Sequence, residues 1–153
     1  MRPTERLLDQ LNRAFGGDAW HGPALRNLLD GVTEEHAKSR PVREAHSILE
    51  LVVHISTWID VVARRVGGNV VDSSSVQDWS DVTKTSWTSA VQALERAESK
   101  LADAVARLST EDLDKPVPGA KRSIESEILG ALQHNVYHAG QIAILKKAIG
   151  GKQ

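Results

Sequence analysis

The chain has six histidines, His21, His36, His46, His54, His134 and His138, and the last two form the clearest chemical pattern. They stand four residues apart in LQHNVYHAGQIAIL, Leu132–Leu145, a segment that reads as helical from end to end. Four residues is just over one helical turn, so both imidazoles project from one face. A pair so spaced can hold one divalent metal ion between two ring nitrogens. Random placement of six His gives about 0.2 such pairs, so the spacing needs support from its surroundings. On the same helix Ile124, Ala131, His138, Ile142 and Leu145 share a stripe, with His134 and Gln141 beside it. The pair therefore faces an interior, either as metal ligands or as buried, hydrogen-bonded imidazoles.

His54 is the natural third ligand. It lies mid-helix in LELVVHISTWID, beside the apolar face of Leu51, Ile55 and Trp58. A lone His there is ordinarily a satisfied core residue. A third imidazole facing the first two instead makes a three-nitrogen site with open positions, the pattern of catalytic rather than structural metal sites. Imidazoles suit Zn, Ni, Fe or Cu, and spacing does not choose among them. Glu50, one turn before His54, has two readings: a general base at the site, or the carboxylate of a capping box with Ser47, which is the simpler one. Gln141 either hydrogen-bonds a ligand or ties its helix to a neighbour, the second being simpler. His46, at the mouth of the second helix, and His21 read as structural. Trp58, Trp79 and Trp87 read as core or pocket-wall residues. No Ser-His-Asp order, phosphate-binding glycine loop or inward carboxylate pair is present to support other chemistries.

The elements that must position these residues are helices. Thr4 is placed to cap a first helix bearing Leu7, Leu8, Leu11 and Phe15 and ending at Gly16–Gly17. Ala19–Gly31 reads as a further helical segment, and Thr33 with Glu35 and His36 as a short turn. Ser47–Val66 is a strong helix with apolar residues at helical intervals, stopped by Gly67–Gly68. Asn69–Asp81 is a polar loop expected to be mobile, with Val70–Val71 a weak strand candidate. Val82–Leu108 has helical spacing and no Gly or Pro. Ser109–Arg122, with Pro116, Pro118 and Gly119, is a second long connector. Ser123 caps a last helix running to about Ile149, before Gly150–Gly151. The expected fold is all-α: a four-helix bundle with two long connectors and a short additional N-terminal helical segment, in one domain over residues 1–153.

Bulk properties narrow the setting. A net charge of -1 gives no electrostatic case for nucleic acid or an anionic membrane. The absence of Cys removes disulfides, thiolate ligands and a catalytic cysteine, and fits a reducing cytoplasm. No apolar signal core or membrane-length run is seen.

Three segments also resemble a known family, two of them carrying the match. AHSILELVVHISTW, Ala45–Trp58, is similar to the second-helix segment, with its metal-ligand His, of the DinB-like four-helix-bundle proteins. HNVYHAGQI, His134–Ile142, resembles that family's last-helix H-x-x-x-H-x-G-Q signature. AWHGPALRNLLDGVT, Ala19–Thr33, is similar to a subgroup. The superfamily includes bacillithiol- and mycothiol-dependent S-transferases. The resemblance implies a homodimeric bundle with His54, His134 and His138 as ligands of a divalent metal. It further implies use of a low-molecular-weight thiol on an electrophilic small molecule, in detoxification or stress response. Two alternatives stand beside this S-transferase reading. One is a hydrolase or isomerase using metal-bound water with Glu50 as base. The other is a non-catalytic helical dimerisation or interaction module.

Overall fold

The computed structural model describes residues 1–150. Six α-helices follow one another: α1 Pro3–Gly16, α2 Leu25–Leu29, α3 Glu34–Lys38, α4 Ile48–Val66, α5 Trp87–Ala106 and α6 Ile124–Gly150. Four of them are long and form a bundle. α4 packs most extensively on α5 and then on α6, while α1 leans on both α5 and α6. The two short helices fill the N-terminal side, α2 against α6 and α1, α3 against α4 and α5. The all-α expectation holds. Among the described residues no strand forms, and the one bridge, Pro116 with Ser123, is isolated. Val70 of the strand candidate is largely exposed in an irregular segment.

The boundaries follow the caps. Ser47 Oγ accepts from the Glu50 amide at 3.2 Å and Glu50 Oε2 accepts from the Ser47 amide at 2.7 Å, the expected capping box of α4. Ser123 Oγ accepts from the Ser126 amide at 3.2 Å and starts α6. Three expected starts or extents are corrected. Helix α1 begins at Pro3, whose missing N–H costs nothing in the first turn, and Thr4 is a buried helical residue rather than the cap. The Ala19–Gly31 segment is helical only from Leu25 to Leu29, because Gly22 takes a left-handed φ of 126° just before Pro23. Helix α5 begins at Trp87 rather than Val82: Asp81 Oδ1 accepts from the Thr83 amide at 2.9 Å in an Asx turn, and Ser86 supplies the cap. Helix α6 reaches Gly150, and Gly151 of the expected stop lies outside the described residues.

One apolar core runs through the bundle. Ile48, Val52, Ile55 and Ile59 of α4 meet Leu94, Leu101 and Val105 of α5 and Ile128 and Ile142 of α6. These side chains are essentially removed from water, at roughly 1.5–3 kcal/mol of transfer free energy each. This packing holds the α4 and α6 backbones in register where they carry polar residues. No described helix is long and apolar enough to cross a membrane. The two long connectors touch at Gly119, where φ is 78° and an added Cβ would lie 3.0 Å from Val70 Cγ1.

Candidate functional site

The three histidines come together. His54 Nε2 lies 3.0 Å from His134 Nε2, and His138 Nε2 lies 3.1 Å from the same atom. One ring nitrogen from each lies within 4.8 Å of the others, an arrangement that could hold a metal ion. Helix α4 contributes His54 from among its core residues, and successive turns of α6 contribute the other two. His54 and His138 are buried, and His134 is half-buried.

The far side of two rings is fixed. His54 Nδ1 donates to the Asp78 carbonyl at 2.8 Å. A backbone carbonyl only accepts, so the proton of neutral His54 is on Nδ1 and its Nε2 is bare. His138 Nδ1 likewise donates to Gln141 Oε1 at 2.6 Å, leaving its Nε2 bare in the neutral ring. His134 can offer one hydrogen at Nε2, to one of these two neighbours. In the neutral cluster at least one of the bare nitrogens therefore receives no hydrogen, an arrangement that favours a cation between the nitrogens. Bonds of about 2.0–2.1 Å from one metal to two imidazoles set the nitrogens roughly 3 Å apart. The donor set thus fits a divalent metal.

The electrostatics favour the unprotonated state. Burial, with the neighbouring His138 and His54, lowers the pKa of His134 to about 4. Burial also lowers His138, against the opposing hydrogen bond to Gln141. Neutral imidazoles are the ligand form.

The connector after α4 completes the surroundings. Asp78 is held there by Trp58, whose Nε1 donates to its carboxylate at 2.7 Å. The same carboxylate lies 3.4 Å from His54 Nδ1. Trp79 stacks between His46, at 3.5 Å between ring centroids, and His54, at 4.0 Å, with both pairs nearly parallel. The loop expected to be mobile is thus fastened to the His cluster at Asp78 and Trp79. Of the tryptophans read from the sequence as core or pocket wall, Trp79 packs on these two imidazoles and Trp58 lines a pocket. Asp78 was not identifiable beforehand, because its contact with His54 is made by a backbone carbonyl. An Asp-Trp pair in an otherwise Ser-rich segment was the available signal.

The other candidates separate. Glu50 has both carboxylate oxygens engaged: Oε2 by the Ser47 amide and Oε1 by Arg40 Nη2 at 2.5 Å. Burial raises its pKa, but the Ser47 hydrogen bonds and the Arg40 and His46 charges outweigh that and leave it lowered. His46 Nδ1 stands 3.7 Å from Glu50 Oε2, outside the three-His cluster. Gln141, expected to tie α6 to a neighbour, instead accepts from His138. His21 lies in the turn before α2, and His36 on α3.

A cleft of about 270 Å³ between α4 and α6 opens on His134, with Trp58, Ile59, Val62 and Ala131 among its walls and Arg122 at its far end. A larger groove of about 720 Å³ between α4 and α5 touches none of the three histidines.

A family model described as the DinB superfamily matches residues 19–142. That span is most of the chain and includes all three histidines, and the chain belongs to the DinB superfamily. Among solved structures, the crystal structure of a conserved protein from Enterococcus faecalis matches with a TM-score of 0.73 at 15% sequence identity, covering 99% of each chain. At that identity the likeness is one of fold. No match is found among curated proteins.

Proposed function

We propose that this chain is a divalent-metal-dependent enzyme that transfers a low-molecular-weight thiol to an electrophilic small molecule, in detoxification or stress response. The observation that supports it is the convergence of three imidazole nitrogens, two of them bare by virtue of their outer hydrogen bonds. His54, His134 and His138 would hold the ion. Bound there, it would supply a Lewis-acid centre able to keep a thiol as thiolate near neutral pH. The chain has no Cys, so the sulfur belongs to a cosubstrate.

The protein's own contribution is positional. The Asp78 carbonyl and Gln141 Oε1 hold the His54 and His138 protons on the outer nitrogens and fix both rings. Trp79 covers one face of His54 and limits water there. In the transfer, the thiol sulfur forms the new bond to carbon while the leaving group departs with its electron pair, or a proton completes the addition.

Zinc or nickel titration, joined to thiol consumption with a model electrophile such as monochlorobimane, tests this reading. A panel of bacillithiol, mycothiol and glutathione covers the thiol. One ion per chain is expected, with metal-dependent turnover for at least one thiol, and His134→Ala should lose both. A protein that takes up no metal after reconstitution and turns over equally well as His134→Ala would sink the proposal. Activity that needs no thiol but falls on Glu50→Gln would favour the hydrolase or isomerase reading. The engagement of both Glu50 oxygens weighs against that reading. The proposal includes a cytoplasmic homodimer, which sedimentation analysis checks for its assembly.

A further inference from the structure

The cleft between α4 and α6 has a chemistry of its own. Ser126, Gly130 and His134 recur at every fourth residue of α6 and all line it. That stripe spans about 12 Å along the helix. The walls between its ends are mainly apolar, with Trp58, Ile59 and Val62 from α4 and Ala131 from α6, and Asn135 adds a polar group beside His134. At Gly130 an added Cβ would meet nothing within 4 Å, so the helix surface there is open to the cleft.

The end opposite His134 carries unbalanced charge. Glu127, buried beneath it, accepts from Arg65 Nη1 at 2.9 Å with one oxygen and from Arg122 Nε with the other. Two guanidiniums share one carboxylate, which leaves one positive charge. Arg65 is buried and spends its other nitrogens on the Val71 carbonyl and Ser73 Oγ. Arg122 is about half exposed, at 48% of its side chain, and its two terminal nitrogens have no partner among the described residues. The open donors therefore belong to Arg122, and they form a planar fork suited to a carboxylate.

We propose that this cleft seats the electrophilic cosubstrate, and that this is a small, elongated apolar molecule ending in a carboxylate. The carboxylate would lie on Arg122 and the other end would reach His134. The inference rests on the thiol-transfer reading only for the word cosubstrate, since the cleft and its charge stand without the metal. An apolar lining suits the electrophile better than a polar low-molecular-weight thiol. A cavity of about 270 Å³ limits the ligand to small size.

The test uses 4-phenylbutyrate and its uncharged counterpart 4-phenylbutanol, titrated into the full chain both metal-free and zinc-loaded. Binding is followed by NMR through the Trp58 indole N–H, assigned with Trp58→Phe. The acid should shift that signal and bind about tenfold or more tightly than the alcohol. Arg122→Gln should reduce the acid to the affinity of the alcohol. Gly130→Leu should abolish binding of both while zinc uptake is unchanged, and it does not depend on the Arg122 variant's stability. Equal affinities for acid and alcohol in the unaltered chain, or an unmoved Trp58 signal, would overturn the proposal. Acid binding by a chain that takes up no zinc would uphold the cleft and remove the metal reading. Zinc uptake without acid binding would do the reverse.

Discussion

Two buried polar clusters bridge α4 and α6. His54 meets His134 and His138 in one, and Arg65 meets Glu127 in the other. On α4 the two positions are eleven residues apart, and on α6 His138 and Glu127 are also eleven apart, in the opposite direction. The same antiparallel helix pair thus presents two polar sites about 16 Å apart. Their completeness differs. At the Arg65 end each charged group has a partner: the guanidinium reaches Glu127, Val71 and Ser73, and Glu127 also holds Arg122. Burial raises the Glu127 pKa, but the hydrogen bonds and charges of Arg122 and Arg65 outweigh it, so the carboxyl is held below its ordinary range. At the histidine end, three nitrogens meet with too few hydrogens to satisfy one another. The buried Arg65–Glu127 pair is fully partnered, and only the exposed terminal nitrogens of Arg122 are left over. The second cluster brings together three donors that could hold a cation.

This contrast can be broken most severely at Arg65. Arg65→Ala leaves Glu127 buried without its inner partner and should destabilise the fold by about 3–5 kcal/mol in denaturant unfolding. The complementary change, His134→Ala, should lower zinc affinity by more than about a hundredfold in a metal titration. Its effect on metal-free stability should be much smaller than that of Arg65→Ala. Gln141→Ala releases only the outer nitrogen of His138, and an affinity loss of about 10–100-fold is expected. Loss as large as that of His134→Ala would show that the outer hydrogen bond, not the ligand count, dominates the site.

A pH-dependent effect concerns Glu98, buried on α5 and hydrogen-bonded by Asn135 Nδ2 at 3.1 Å. Burial, only partly opposed by the Arg26 charge, pushes its pKa up to about 7 from an ordinary 4.5. A carboxyl raised in the folded state binds more protons there than in the unfolded chain. Its contribution is therefore most favourable at low pH and is lost as pH rises from about 4.5 through about 7. Glu98→Gln should remove that slope from a series of thermal melts. An unchanged difference between the two proteins across this range would show that Glu98 does not titrate there.

The histidine pair was legible because helical periodicity converts sequence spacing directly into a shared face. His54 could be added because it sits beside an apolar stripe on a second such helix. Residues whose role depends on the path of a connector were not legible. Asp78 acts through a backbone carbonyl, which no residue type announces. The Arg65–Glu127 pair joins positions far apart in sequence, and neither end differs locally from a solvated helix charge. Helix starts were misplaced where local chemistry overrode a long apolar pattern: the Asx turn at Asp81 before α5, and Gly22 with Pro23 before α2. Gln141 shows the remaining limit. Its position beside the pair was visible, but its partner depended on a side-chain rotation that spacing does not determine.

The unbroken course of α6 has a consequence for how the chain can change length. Glu127, Gly130, His134, His138 and Gln141 all ride on this one helix of 27 residues. Adding or removing a single residue between Glu127 and His134 would turn one set by about 100° relative to the other. The ion pair, the cleft and the histidine cluster could not then all face α4. Insertions of that kind should be far less tolerated than insertions in the short turn Thr110–Asp112, whose residues belong to neither cluster. The helix acts as a ruler, and its length is part of the site.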